Sequence, residues 1–223
     1  LTPGEIFRMS ENNTLPNKGY LLAFHPDLLF QTSLKNHIKN YTFFSYRKEE
    51  ALHLSQRETA QITCCFENIE DELQHPIDTH SSTILSRYIE LLLDYCTRYY
   101  ERQFITRENK NRTILEEMES ILNQYIESGK LQNGLFPTPI FCAEMLGLST
   151  AYFNDLLKFE TGNTLQEYFQ LKRLKAAKKM LLKGKDSPSF IAQQLGYPNV
   201  QYFSLIFKKI MGMSPTEYRY SHN

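Results

Sequence analysis

Residues 138–168 of this 223-residue chain recur, with one insertion, as residues 187–218, and this repeat limits what the chain can fold into. Residues 138–147 match residues 187–196 at one offset, where Pro, Phe, Ala, Leu and Gly coincide. Beyond the insertion the match continues through a Tyr-Phe pair, a lysine, a glycine and a Glu-Tyr pair. A repeat of this length is one supersecondary unit, so the two copies should share one structure.

Each copy predicts two short helices joined by a glycine-containing turn. In the first copy Thr138 is suited to an N-cap, and Pro139 follows at the first helical position, where a missing N–H costs nothing. Gly147 ends that helix and the next one starts near Ser149. Residues 187–199 repeat these features. Helix, turn and helix form the helix-turn-helix pattern, which a small alanine in each first helix favours over a generic α-hairpin.

A longer helix is predicted between the two copies, over residues 164–183. Thr164 and Glu167 have the spacing of a capping box, and apolar residues follow with helical periodicity. A helix of ~20 residues is ~30 Å long, close to the ~34 Å of one turn of B-DNA. A rod of that length can hold two reading units in adjacent major grooves.

The basic residues are concentrated in the same region. The whole chain holds 25 Lys and Arg against 25 Asp and Glu, whereas residues 128–223 hold 12 against 6. This asymmetry indicates a module that faces a polyanion. A solvated helix face is the alternative explanation for such a charge run.

The motifs of this region resemble the signature of AraC/XylS-family transcriptional regulators over residues 112–223. The resemblance implies a mainly α fold, in which an all-α C-terminal domain carries two helix-turn-helix units on a linker helix and binds double-stranded DNA in bacteria. It is carried by residues 191–197 (Ile-Ala-Gln-Gln-Leu-Gly-Tyr), 202–204 (Tyr-Phe-Ser), 207–209 (Phe-Lys-Lys), Gly212, Pro215 and 218–219, with 147–149, 152–153, 157–158 and 160–162 in the first copy and 173–177 in the linker.

The resemblance also implies which residues contact DNA. Asn and Gln can pair with adenine, and Ala or Val can touch a thymine methyl group. The lysines would bind phosphates, or else form an ordinary solvated surface. The implied contact residues are Ser149, Thr150, Ala151, Asn154, Asp155, Lys158, Arg173, Asn199, Val200, Gln201, Ser204, Leu205, Lys208 and Lys209.

Three positions depart from the family pattern. Many members carry a basic residue where this chain has Asp155 and Leu205, and Tyr197 replaces a common Phe. An acidic side chain near DNA repels phosphate, although it can accept a hydrogen bond from cytosine N4. We therefore expect fewer guanine contacts than in a typical member.

The first half predicts a different domain. Glu5–Met9 and Gly19–His25 have the pattern of short strands and resemble the late strands of the cupin-like sensor barrel found in many members of the family. We expect only the tail of that barrel, because a complete barrel needs many more strands, and the start at Leu1 rather than Met leads us to expect that the beginning of the chain is missing. The expected organisation is a sensor and dimerisation domain over 1–105 (a β remnant over 1–50 and helices over about 54–104), a linker over 106–112 and the DNA-binding domain over 113–223.

The helix predicted over residues 82–104 has an apolar stripe wider than one face. The family resemblance implies a homodimer interface here, and packing inside the sensor domain is an equally valid explanation that does not exclude it. The stripe residues singled out for dimerisation are Leu85, Tyr88, Ile89, Leu92, Tyr95 and Tyr99.

Other kinds of chemistry find no support in the sequence. The four cysteines lack metal or redox spacing, which predicts reduced thiols and a cytoplasmic protein. His75 and His80 are five residues apart across Pro76, so we expect no metal site there. Phosphate-loop and nucleophile-elbow motifs are missing, as is an apolar run long enough to span a membrane. We expect no enzyme and no cofactor.

The first hypothesis is therefore a sequence-specific transcription regulator, with a small-molecule effector and RNA polymerase as further candidate partners. The second is a non-enzymatic interaction protein that pairs with another regulator because its DNA face is degenerate, as Asp155 and Leu205 suggest. The third is an enzyme with an attached DNA-binding module, which the lack of a nucleophile motif disfavours.

Overall fold

The structure is a computed structural model that describes residues 19–221. Its regular elements are all helical over that range, without a strand, which confirms the mainly α prediction. The chain divides into two compact units, Leu1–Glu108 and Asn109–Asn223.

The first unit is built on a hairpin of two long helices preceded by short helical turns. Its elements are 3-10 helices at Pro26–Leu29, Ile38–Asn40, Thr42–Ser45 and Lys48–Glu50, and α-helices α1 (Leu34–His37), α2 (Gln56–Gln74) and α3 (Ser81–Thr106).

Polar contacts fix the start of α2 against the end of α3. Ser55 caps α2 in a capping box with Glu58, as its sequence predicts. The Arg102 guanidinium of α3 contacts the Glu58 carboxylate at 2.7 Å and donates to the His53 carbonyl oxygen. Gln103, which is buried, accepts from the His53 backbone N–H. These bonds satisfy backbone groups in the loop that leads into α2.

The predicted strand at Gly19–His25 is wrong, because these residues have no regular secondary structure. No neighbouring strand is available to pair with them within residues 19–221, and Leu22 and Phe24 pack instead against the core of the hairpin. The other predicted strand, Glu5–Met9, lies outside the described residues.

Much of the apolar stripe predicted for dimerisation is used inside the unit. Ile89, Leu92 and Tyr99 are buried, and Leu85 and Tyr88 pack against the core. Tyr95 is half-buried and stacks on the neighbouring turn of α3. The intramolecular explanation of this stripe thus has a physical basis in the structure, and the homodimer stays a prediction. The buried core of the unit consists of Leu29, Leu34, Ile69, Ile89 and Leu93.

The second unit contains the two predicted helix-turn-helix pairs. Its helices are α4 (Glu108–Glu127), a 3-10 helix (Lys130–Asn133), α5 (Pro139–Met145), α6 (Thr150–Thr161), α7 (Leu165–Leu182), α8 (Pro188–Gln194), α9 (Val200–Met211) and α10 (Pro215–Ser221). Residues 108–112, predicted as part of a linker, are helical and form the start of α4. The boundary between the two units falls after Glu108, the first residue of α4.

The linker helix α7 contributes to two buried clusters, one for each pair, and Ile126 packs against both. Its first half places Leu165 and Phe169 in a core with α4, α5 and α6, whereas its second half places Leu174, Ala177 and Leu181 in a core with α8, α9 and α10. Complete burial of one such aliphatic or aromatic side chain contributes ~1.5–3 kcal/mol. The rod is therefore held at both ends by hydrophobic packing.

Candidate nucleic-acid interface

The two second helices of the pairs, α6 and α9, begin in the same way. The Ser149 hydroxyl accepts from the Tyr152 backbone N–H at 3.1 Å, and Asn199 Oδ1 accepts from the Tyr202 backbone N–H at 2.7 Å. Both caps are uncharged, so the positive end of each helix dipole is not neutralised by its own cap. An anion near either end would be stabilised.

The turns inside the two pairs share one backbone conformation. Gly147 and Gly196 both have φ of +68°, and the following N–H groups of Leu148 and Tyr197 donate back to an alanine carbonyl oxygen of the preceding helix at 2.8 and 2.9 Å. A φ in this range favours glycine. The repeat in sequence is therefore a repeat in geometry.

Both second helices line one cleft of about 1370 Å³, with α7 along its floor. The lining includes Asn154 and Lys158 of α6, Asn199 and Val200 at the start of α9, and Gln170 of α7. The lining therefore joins the middle of α6 to the first turn of α9.

Most of the predicted DNA-contacting residues are accessible on these helices. Leu205, with 62% of its surface exposed, is the most conspicuous apolar one. The Ser149 side chain is buried and used as an N-cap, so it is not available to read a base. Asn154, Lys158, Asn199, Gln201, Leu205, Lys208 and Lys209 are exposed, and Thr150, Ala151, Asp155, Val200 and Ser204 are half-buried.

Lysines with similar sequence signals have different environments. Lys158 Nζ donates to the Gly162 carbonyl oxygen at 2.8 Å and so caps the end of α6. Lys208, its counterpart in the repeat, is exposed at the end of α9. Lys172 contacts the Glu119 carboxylate of α4 at 2.6 Å and is largely buried, which makes it a structural residue.

Arg173, predicted among the DNA-contacting residues, is buried in the floor of the cleft with 8% of its surface exposed. Its Cζ lies 4.0 Å from the centroid of the Tyr197 ring and 5.1 Å from that of Phe136. Burial lowers the pKa of the Arg173 guanidinium and raises the pKa of the Tyr197 hydroxyl, because it disfavours the charged form of each group. Contact with a ligand would therefore have to occur inside the cleft.

Residues 142–221 match the family model described as a helix-turn-helix domain. Over 78 residues the chain is 40% identical to the uncharacterized transcriptional regulatory protein YesN of Bacillus subtilis, an alignment that covers 34% of this chain and 21% of YesN. The second unit carries a helix-turn-helix domain of the AraC type.

The transcriptional regulators similar to this chain align with different shares of it. The transcriptional activator RhaR of Mannheimia succiniciproducens is 24% identical over 97% of the chain and 70% of RhaR. The solved C-terminal domain of AraT, a response regulator from Geobacillus stearothermophilus, is 33% identical and covers 47% of this chain and 84% of that domain, with a TM-score of 0.37. The chain spans about a fifth of the length of several relatives that it matches, including YesN.

Sequence reasoning missed several residues of the AraC-type domain that line the cleft. Tyr152 and Tyr202 occupy matching positions of the repeat, yet Tyr152 is 2% exposed and Tyr202 is 47% exposed and lines the cleft. Phe136 and Gln170 also line it, although they lie outside the repeated motif. Helical periodicity does not distinguish these positions, because their exposure depends on packing between elements.

Residues 19–221 lack two further structural features. They contain no cluster of three or more His, Cys, Asp and Glu side chains that could hold a metal ion. None of their helices is both long enough and apolar enough to cross a membrane.

Proposed function

We propose that this protein is a sequence-specific DNA-binding transcription regulator that reads two adjacent major-groove segments, one with α6 and one with α9. The observation that carries the proposal is that both helices line one cleft, with α7 as its floor. The 18 residues of α7 give a length of ~27 Å at ~1.5 Å per residue, which is comparable to the ~34 Å of a DNA turn. One rigid domain can therefore serve both segments.

The side chains of α6 and α9 suit this role. Asn154 and Gln201 are exposed amides that can read adenine, while Lys208 and Lys209 provide positive charge at the end of α9. The free amides of the helix N-termini add phosphate-binding capacity. Two relatives that align with nearly the whole chain, the transcriptional activator RhaR and the probable transcriptional regulator LumQ of Photobacterium leiognathi, support regulation of transcription.

We propose that the first unit regulates this activity in two ways, by binding a small molecule and by forming a homodimer through α3. If the protein activates transcription, RNA polymerase is a further proposed partner. Two apolar side chains of α3 are exposed, Leu91 with 43% of its surface and Ile105 with 64%. Replacement by a charged residue, Leu91→Arg, should leave the monomer folded and abolish the dimer. Sedimentation equilibrium of both proteins over a concentration series tests this, and an unchanged mass would contradict the α3 interface.

DNA binding is tested by selecting sites for the full chain from a random duplex library, followed by footprinting. We expect two protected blocks whose centres are about 10–10.5 base pairs apart, one for each pair. Absence of any band shift at low salt would overturn the proposal, because phosphate contacts strengthen as salt falls.

A second candidate function is an interaction protein whose DNA face is degenerate. Asp155, a half-buried carboxylate in the lining of the cleft, and Leu205, an exposed apolar side chain on α9, favour it. This candidate predicts no footprint on any selected sequence, whereas the first predicts paired protection, so the same experiment decides between them.

A further inference from the structure

We propose that Arg173 and Tyr197 form a phosphate-binding site in the floor of the cleft. The expected ligand is a backbone phosphate of the DNA that passes between the two reading helices. A free phosphorylated molecule presents the same chemistry, so the experiment below separates the two sources. The DNA form of this inference rests on the proposed function, whereas the site itself is argued from the cleft.

The first step is the unusual state of the two side chains. Arg173 Nε and the Tyr197 hydroxyl are both buried, and neither has a hydrogen-bond partner among residues 19–221. Arg173 also has no carboxylate within ion-pair distance in that part of the chain. Buried charges are normally paired, and buried polar groups are normally hydrogen-bonded. Because Arg173 Cζ lies 4.0 Å from the centroid of the Tyr197 ring, one acceptor from outside could serve both groups.

The second step is the charge of the surrounding cleft. Three charged side chains line it: Lys158, Asp155 and Arg173. Lys158 already donates to the Gly162 carbonyl oxygen. Of the two cations in the lining, Arg173 is therefore the one without a hydrogen-bond acceptor among residues 19–221. The positive N-terminal end of the twelve-residue helix α9 also faces the cleft through Asn199. An anion is favoured there despite the single carboxylate.

The third step is the geometry of the guanidinium. Its Cζ lies 4.0 Å from the centroid of the Tyr197 ring and 5.1 Å from that of Phe136, and these cation–π contacts leave Nε without a hydrogen-bond acceptor among residues 19–221. Arginine binds phosphate through two parallel hydrogen bonds along its N–H edge. Phe136 is 42% exposed and lies in a segment without regular structure before α5, so its side of the site is open to solvent.

The decisive variant is Tyr197→Phe, tested in the full chain. It removes an unpaired buried hydroxyl, so the melting temperature should be unchanged or slightly higher. If the hydroxyl donates to a phosphate, affinity should fall about tenfold on every DNA sequence alike. The variant Arg173→Met should in addition flatten the slope of log K against log salt by about 0.9, and Arg173→Lys should restore the slope without restoring full affinity.

Two arms identify the source of the phosphate. Methylphosphonate substitution along the selected duplex should reveal one phosphate whose neutralisation weakens the wild type and leaves Arg173→Met unaffected. Titration with inorganic phosphate and pyrophosphate in the absence of DNA, followed by thermal shift, tests the free ligand. Stabilisation of the wild type but not of Tyr197→Phe, without any methylphosphonate effect, would support a phosphate site for a free molecule.

A separate control keeps failure of this inference distinct from failure of the proposed function. Lys208 is outside the cleft lining, and Lys208→Ala should weaken DNA binding whatever the role of Arg173. If Lys208→Ala weakens binding while Tyr197→Phe changes neither DNA nor phosphate binding, the site is overturned and DNA binding stands. If the wild type binds no DNA, the phosphate titration alone decides, and lack of stabilisation overturns the site.

Discussion

Gly196 approaches the backbone of Leu131 so closely that a β-carbon at Gly196 would lie 2.6 Å from the Leu131 carbonyl oxygen. Leu131 is fully buried in the 3-10 helix that precedes α5, so its backbone has little freedom to move away. Nearby, Gln132 Nε2 donates to Gln194 Oε1 at 2.6 Å. The turn of the second pair is therefore packed against the segment that leads into the first.

This contact predicts a difference between two equivalent glycines. Gly147 has the same φ of +68° as Gly196, but a β-carbon there meets nothing within 4 Å. Gly147→Ala should lower the free energy of unfolding by ~1–2 kcal/mol through backbone conformation alone. Gly196→Ala should add a steric cost of ~1–3 kcal/mol. Urea denaturation of both variants measures the difference, and equal losses would contradict the close approach.

A polar network between α4 and α7 predicts a pH effect on stability. Glu119 accepts from Lys172 at 2.6 Å and from the Tyr168 hydroxyl at 2.5 Å. The hydrogen bond from Lys172, followed by that from Tyr168, lowers the pKa of Glu119 below its ordinary value of 4.5. Because the folded-state pKa is depressed, the stabilisation is present above that ordinary value and is lost as the pH falls through the lowered one.

Glu119→Gln should therefore destabilise the protein at pH 7 by ~0.2–1 kcal/mol, a range set by the solvent exposure of the carboxylate. At an acidic pH below the lowered pKa of Glu119 the difference from the wild type should shrink, because the wild-type carboxyl group is then neutral as well. Urea denaturation at both pH values measures this. A difference that is the same at both values would contradict a charge-dependent contribution.

The helices of the second unit were predictable because their signals are local. Thr138, Ser149 and Thr164 cap helices where the sequence indicates, and the glycines adopt the left-handed conformation that the turns require. Caps and turns depend on residues three or four positions apart, so a single sequence contains the information. Because the unit occurs twice, the same cap and turn signals appear in both copies and support one another.

Features that depend on distant partners were not predictable. Gly19–His25 has a strand-like pattern, yet a strand needs a partner that the sequence cannot reveal. Arg173 has the periodicity of an exposed basic face, and its burial comes from the rings of Phe136 and Tyr197, which lie far from it in sequence. The different exposure of Tyr152 and Tyr202 has the same origin in tertiary packing.

Replacement of one reading and one phosphate-contacting residue should separate specificity from affinity. Gln201→Ala should cost ~1–3 kcal/mol on the selected site and relax the preference at one base pair. Lys208→Ala should weaken all sequences alike and flatten the salt slope by about one. Both side chains are exposed on α9, so neither change should alter stability. Identical effects of the two variants across a panel of sequences would refute the assignment of roles.

Arg219 of α10 predicts a loss of stability that is largest in the second helix-turn-helix pair. Its guanidinium donates from Nε to the Leu181 carbonyl oxygen at 3.2 Å and from Nη2 to the Asp186 carbonyl oxygen, so it satisfies the end of α7 and the loop that follows. Arg219→Met keeps much of the aliphatic packing and leaves these acceptors unsatisfied, which should cost ~1–3 kcal/mol. The neighbouring Tyr220, which is 78% exposed, provides the control Tyr220→Ala.

Hydrogen exchange locates that loss. Protection should fall most in α8, α9 and α10 of Arg219→Met and less in α5 and α6, because the buried residues of the two pairs form two clusters that meet at Ile126 and at the contact between Gly196 and Leu131. In footprinting, the block assigned to α9 should fade before the block assigned to α6. A uniform loss of protection across both pairs would show that the two clusters unfold as one cooperative unit, and it would refute the unequal loss that their packing predicts.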